Sequence, residues 1–358
     1  MNIKQIVVFC KFIVIYFITF CFTIAADCNP YIVIKESETD PRYLFASPPG
    51  MILDKNGNIY LLDPLDGYMR KYDKNGKYIS RFGRKGRGPG EFAYAVPVSI
   101  IDNYLYIWDL TRVHIYTLQG EFIQTFQHNY IIREPLYMKS GGYIGSSLKL
   151  KNGKFFKHLK IFRDKKEKIL LTIDYHKFQK RSLIYGYSKS IASTRFLQRF
   201  IYKRDSNDRA LYARTDRFQI WQYKNNKSSL LISEKIPLLP LVSEKIKEEG
   251  RRYEDEKNAR DGETHWTVPV LEYWPAIMGF DIDQDDKIWV YVKNKKRCGF
   301  VKYSSDGKFL RYYKYDFTKS IFLKYNWLHF YFFVRDNMVY YKIYDSLKGV
   351  EIFKLKLR

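Results

Sequence analysis

NGKYISRF, residues 75–82, has the form of a tight hairpin turn followed by a strand of alternating character. An Asn-Gly pair supplies the positive φ angles that two-residue hairpin turns require. The same grammar returns as QGEFIQTF at residues 119–126 and DGKFLRYY at residues 306–313. Gly76 and Gly120 stand 44 residues apart, and Gly120 and Gly307 stand 187 apart, about four such periods. A repeat of roughly 40–50 residues with four strands in each copy is the mark of propeller blades.

Working outward from these turns, three stretches share one order of strands and turns: Pro48–Gly83, Val96–Gln127 and Trp274–Lys314. Two weaker units, Pro135–Tyr175 and Arg195–Ile236, occupy the interval. The last unit offers only three strands, LHFYFFVR, MVYYKIYD and GVEIFKLKLR, before the chain ends. The strand YIVIKE, Tyr31–Glu36, is available to complete it, and pairing the two ends would close the ring and remove an open edge. The expectation is an all-β, six-bladed β-propeller spanning residues 27–358, its last blade closed by the N-terminal strand. Composition agrees: 46% of residues are hydrophobic, with 32 Tyr and 26 Phe, types that suit a pleated, half-buried surface. A charged stretch at about 237–273 interrupts the ring and reads as a short helix or surface loop.

The first residues join Lys4 and Lys11 to an apolar run from Phe12 to Ile24 and then to Ala25 and Ala26. This is the layout of a secretory signal over residues 1–26, with an apolar run short of the about 20 residues that span a bilayer. An uncleaved signal anchor is the competing reading, and Cys28 raises lipid attachment, although Asp27 before it fits that pattern poorly. The mature chain is expected to be periplasmic or extracellular, without a transmembrane domain once the signal is removed. An oxidising compartment would permit a bridge between Cys28 and Cys298.

The stretch RFGRKGRGPGEF, Arg81–Phe92, is similar to the blade-to-blade connection FG-x-x-G-x-GPGEF of bacterial six-bladed propellers related to NHL-repeat proteins. The strands that follow, Val96–Asp109, resemble that family's next strands. The resemblance implies an exported bacterial propeller and little chemistry, since fold alone does not fix function.

Several residues could carry chemistry. Arg84, Lys85 and Arg87 stand among the glycines of residues 83–90, where backbone N–H groups and cations together could hold an anion; the other reading is a connection shaped by its glycines. His265, Trp266 and Trp274 bracket the end of the charged stretch, and with Tyr273 form an aromatic cluster suited to a sugar ring or a peptide side chain. Asp63 and Asp109 close equivalent strands and are weak candidates for a cation in the central channel. The alternative is that they bond a loop backbone or pair with Arg112. Asp281, Asp283, Asp285 and Asp286 lack the glycine and distal glutamate of a calcium loop and read as a turn. No histidine recurs at a repeat-equivalent strand start, and none has zinc-motif spacing.

The formal charge is +24, from 62 Lys and Arg against 38 Asp and Glu. A basic surface attracts anions, while export argues against nucleic acid as the natural partner. The leading expectation is a basic, secreted, non-catalytic binding scaffold for a peptide, glycan or partner protein, needing no cofactor. The alternative is a metal-dependent lactonase or lyase of the propeller type, with Ca²⁺ or Zn²⁺. Attachment to an acidic envelope polymer is a third option.

Overall fold

The computed structural model describes residues 30–109, 111–127, 133–151, 154–163, 166–175, 200–237, 275–316, 331–345 and 348–357. The signal segment, Cys28, the 237–273 stretch beyond its first residue, His265, Trp266 and Trp274 lie outside the described residues.

Every strand belongs to one of six four-stranded antiparallel sheets. β1 (Tyr31–Lys35) leads into blade 1: β2 (Gly50–Leu53), β3 (Ile59–Leu62), β4 (Met69–Tyr72) and β5 (Tyr78–Phe82). Blade 2 is β6 (Ala95–Ile101), β7 (Tyr104–Asp109), β8 (Arg112–Thr117) and β9 (Phe122–Gln127). Blade 3 is β10 (Arg133–Tyr137), β11 (Tyr143–Lys151), β12 (Lys154–Arg163) and β13 (Lys166–Tyr175). Blade 4 is β14 (Phe200–Arg204), β15 (Ala210–Arg214), β16 (Gln219–Lys224) and β17 (Lys227–Ser233). Blade 5 is β18 (Gly279–Ile282), β19 (Ile288–Lys293), β20 (Cys298–Tyr303) and β21 (Phe309–Lys314). Blade 6 holds β22 (Phe332–Arg335), β23 (Met338–Asp345) and β24 (Gly349–Lys356), and β1 pairs antiparallel with β24 to complete it. The six-bladed ring and its closure by the N-terminal strand are as the repeat implied.

The core is six apolar wedges, one between each pair of neighbouring blades. The wedge between blades 5 and 6 joins Trp289, Tyr291 and Phe300 to Phe332, Val334 and Tyr341. The wedge between blades 6 and 1 joins Tyr340, Val350 and Ile352 to Leu53, Ile59 and Tyr72. Both faces of each sheet are therefore apolar, and strands such as β19 are buried almost end to end.

Each outermost strand carries one β-bulge. The extra residues are Val33, Ile79, Ile123, Leu170, Leu231 and Leu310, all apolar. A bulge twists an edge away from further pairing, which protects six exposed sheet edges from aggregation. The bulges also receive the next blade. Gly76, at φ +85°, sits so close to the carbonyl of Val33 that a Cβ there would lie 1.8 Å from the oxygen. Gly307 docks on the carbonyl of Leu231 in the same way, at 2.8 Å.

Because strands alternate in direction, each blade places its first and third turns on one face of the ring. Its second turn and the connections between blades fall on the opposite face. On the turn face, neighbouring blades are bonded turn to turn. Lys139 Nζ of blade 3 pairs with Asp102 of blade 2. The Lys139 and Ser140 amides donate to Asp208 of blade 4, at 2.7 and 2.8 Å. Asp286 of blade 5 accepts from the Ser206 amide at 2.9 Å, and Gln284 donates to Asp336 of blade 6 at 3.0 Å. Arg335 Nε then donates to the carbonyl of Asp54 in blade 1, at 3.0 Å.

One interblade lysine works against stability. Lys342, on β23, is largely buried and its ammonium donates to the carbonyl of Pro49. Burial pushes that amine down to about 8. Below pH 8 the amine is charged in both folded and unfolded chains, so the folded state bears the whole desolvation penalty. Between pH 8 and the ordinary value of 10.5 the folded chain sheds the proton first, and stability rises with pH. The expected gain on Lys342→Met at pH 7 is about 1–2 kcal/mol, after discounting for partial exposure. Urea denaturation of both proteins at several pH values checks it: the variant's advantage should shrink as pH climbs from 8 to 10.

Candidate functional site

The loop face is built on two buried carboxylates. Asp63, which follows β3, accepts from the Ala46 amide, from the Ser47 hydroxyl at 2.7 Å and from the Leu65 amide at 2.9 Å. Asp109, the last residue of β7, accepts from the Ala93 and Tyr94 amides at 3.0 and 2.8 Å and from Arg112 Nη2 at 2.8 Å. Each thus pins the segment that enters its own blade. Burial alone would raise the pKa of Asp109, but His114, the two amides and Arg112 outweigh it and hold the carboxyl well below the usual range. These bonds use the lone pairs that a channel cation would need.

Between blades 1 and 2 lies the glycine-rich connection. Gly86 and Gly88 leave room for a carboxylate to fold back over the backbone, since a Cβ on Gly86 would fall 2.0 Å from Glu91 Oε2. Glu91 fills that space. It accepts from the Gly88 amide at 2.8 Å and from Arg84 Nε at 2.7 Å. These donors hold its carboxyl below the ordinary range, the Gly88 amide most strongly. The position that an incoming anion would take is therefore occupied by the chain itself. Arg84 is committed to Glu91, whereas the exposed Lys85 and Arg87 side chains have no hydrogen-bond or ion-pair partner among the described residues. Phe92, just beyond, is fully buried against His114 and Tyr116.

Replacing Glu91 by Ala is expected to free this connection. Trypsin should then cut after Arg84, Lys85 and Arg87 about several-fold faster than in the wild type, while core strands stay protected. Mass spectrometry of the early fragments reads the site of cutting.

Deeper in, the innermost strands line the axis, and three of them meet in one polar cluster. Asp281 Oδ2 accepts from the Val334 amide at 2.9 Å and from Arg335 Nη1 at 3.2 Å, while Lys203 Nζ lies 3.2 Å from Oδ1. Lys203 also stands over the Phe333 ring, 4.6 Å from its centre. Asp281 was expected in a turn with Asp283, Asp285 and Asp286; it lies instead within β18 and reaches blades 4 and 6. The turn belongs to Asp283, whose Oδ1 caps the Asp285 and Lys287 amides, and whose Oδ2 accepts from Trp289 Nε1 at 2.8 Å. One carboxylate between two cations leaves a net positive charge, which repels a divalent cation.

Two histidines do occupy equivalent places. His114 on β8 faces Thr125 on β9, with Nδ1 2.7 Å from the hydroxyl. His158 on β12 faces Thr172 on β13, at 2.9 Å. Their numbers differ by 44, the spacing of Gly76 and Gly120. That spacing was the available signal, missed because the residues sit in mid-strand rather than at strand starts. His114 Nε2 lies 3.7 Å from Asp109, an ion-pair distance rather than a hydrogen bond. Cys298 carries a free thiol beside Tyr291, and burial pushes it up to about 11. Among the described residues no three His, Cys, Asp or Glu side chains gather as a metal site, and no helix is long and apolar enough to cross a membrane.

Among curated proteins nothing matches the chain. Among solved structures, a Bacteroides fragilis protein named as expected to be exported aligns at 13% identity and a TM-score of 0.52, over 92% of this chain and 95% of that one. A member of another family of undetermined role, from Bacteroides vulgatus, aligns at 12% identity and a TM-score of 0.46, covering 92% and 98%. A gluconolactonase from Xanthomonas campestris aligns at 7% identity and a TM-score of 0.43, covering 93% and 91%. The first likeness shows the fold alone. A family described as 6-bladed beta-propeller matches residues 36–229, more than half of the sequence. The chain belongs to that 6-bladed beta-propeller family.

Proposed function

We propose that the protein is an exported, non-catalytic binding propeller that presents its loop face to a polypeptide or glycan partner outside the cytoplasm. The observation behind this reading is the composition of the loop face over blades 1 and 2. On the turn face several polar groups bond neighbouring turns, and in the channel Asp281 bonds neighbouring blades. The loop face exposes Leu44, Leu65 and Tyr94 beside the uncommitted Lys85 and Arg87. Large apolar groups left in water beside cations are the ordinary composition of a recognition surface. The signal-like first 26 residues support export.

The test is turnover. Lactone, ester and lyase substrates, each with Ca²⁺, Zn²⁺ or Mn²⁺, should show no reaction above that of the buffer. Turnover that disappears in an Asp281→Asn variant would establish an enzyme and remove the reading.

A further inference from the structure

Resting on the loop-face reading, we infer that the surface over blades 1 and 2 takes an acidic polypeptide segment with aromatic or aliphatic side chains. The patch is continuous through direct contacts. Leu44 lies two residues from Ala46, which is pinned with Leu65 on Asp63. Gly67, two residues beyond Leu65, packs against the backbone of Lys85, where a Cβ would fall 2.4 Å from the Lys85 nitrogen. The carbonyl of Arg87 accepts from Arg112 Nη1 at 2.6 Å, and Arg112 joins Asp109, which pins Tyr94. The backbone segments that carry Leu44, Leu65, Lys85, Arg87, Arg112 and Tyr94 are therefore joined to one another on one face.

Charge decides the sign of the partner. Arg84 is balanced by Glu91 and Arg112 by Asp109. Lys85 and Arg87 are balanced by nothing among the described residues, and the one carboxylate left without a cation, Asp63, is buried beneath the surface, so the exposed side chains of the patch are positive. A carboxylate partner would gain charge-assisted bonds from both without breaking any bond of the loop. The uncharged part decides the class. Tyr94 is 64% exposed, Leu65 46% and Leu44 41%. Two leucines beside a tyrosine offer aliphatic surface, which suits apolar side chains better than the hydroxyl-covered rings of an acidic polysaccharide. The connection is also rigid before binding, since Glu91 fills it from within, so little ordering is needed when a partner arrives.

The experiment uses three labelled probes on the mature protein, followed by fluorescence anisotropy: a random copolymer of Glu and Tyr, polyglutamate of matched length, and dextran sulfate. The copolymer should bind about tenfold tighter than polyglutamate, and added salt should weaken both. Lys85→Glu with Arg87→Glu should weaken the two peptide probes about tenfold. Reversal of Lys224 and Lys227, exposed at the edge of blade 4, should change little. Tyr94→Ser with Leu65→Ser should reduce copolymer binding about five- to tenfold and leave polyglutamate unchanged. All are surface changes, and circular dichroism verifies the fold. Equal affinity for copolymer and polyglutamate, or indifference to either pair of changes, would overturn the inference. Tightest binding to dextran sulfate, lost on the same charge reversal, would assign the patch to an anionic polysaccharide instead. None of these outcomes produces turnover, so failure here is distinguishable from failure of the reading beneath it.

Discussion

Replacing Gly76 with alanine should weaken the whole ring, by about 3–5 kcal/mol in urea denaturation. Two effects add. The residue has φ +85°, where a side chain costs about 1 kcal/mol or more. Its Cβ would also stand 1.8 Å from the carbonyl oxygen of Val33, a distance no rotamer can relieve because both partners are backbone. Val33 is the bulged residue of β1, so the strand that must shift is the one that closes the ring. Gly141→Ala supplies the control. That glycine has nearly the same φ, +87°, with nothing within 4 Å of the added methyl group, so it should lose only about 1 kcal/mol. Hydrogen exchange locates the damage: in Gly76→Ala the amides of Tyr31–Lys35 should exchange faster than those of β19, whereas in Gly141→Ala they should not. Equal losses for the two variants would show that docking of the turn on the bulge contributes nothing.

That prediction draws on the part of the molecule most legible in the sequence. Turn residues act locally, so NGKYISRF and its two counterparts announce blades before any contact is known, and the three-strand end of the chain announces the missing partner. The edge bulges were also within reach. An apolar doublet follows each of the three turn glycines: Tyr78–Ile79, Phe122–Ile123 and Phe309–Leu310. Such a doublet breaks the alternation of a regular strand and marks an extra residue. The site was less legible, for a physical reason. Lys203, Asp281 and Arg335 come from three blades and are 78 and 54 residues apart, and no local pattern reports a convergence around an axis. In the glycine-rich connection the sequence left two readings open, an anion site and a connection shaped by its glycines. That Glu91, its own last acidic residue, folds back onto the Gly88 amide depends on the loop's path, which the sequence does not state. Asp109 lay between two readings, and its bonds to the Ala93 and Tyr94 amides and to Arg112 explain why its side chain serves the loop.

Arg335→Met should cost about 3–5 kcal/mol, because one guanidinium holds three blades together. From β22 its Nε donates to the carbonyl of Asp54 in blade 1, and its Nη1 reaches Asp281 and the carbonyl of Ile282 in blade 5, at 3.2 and 3.3 Å. Methionine keeps much of the volume and removes every donor. Five acceptors then lose a partner, the carbonyls of Leu53 and Val334 included, and Asp281, only 3% exposed, keeps Lys203 and the Val334 amide alone. A buried group stripped of a bond loses more than that bond's net worth, since water cannot replace it. Asp281→Asn should lose less, about 1–3 kcal/mol, because the amide oxygen can still accept from Val334 while the charge attraction to both cations is gone. Combining the changes separates the pair from its surroundings. With Asp281 already neutral, removing Arg335 no longer leaves a carboxylate short of a counter-charge, so the double variant should be about 1–3 kcal/mol more stable than the two single losses would give if simply added. Simple additivity would mean that Arg335 acts only through the backbone carbonyls it bonds, and that the carboxylate in the channel is balanced by Lys203 alone.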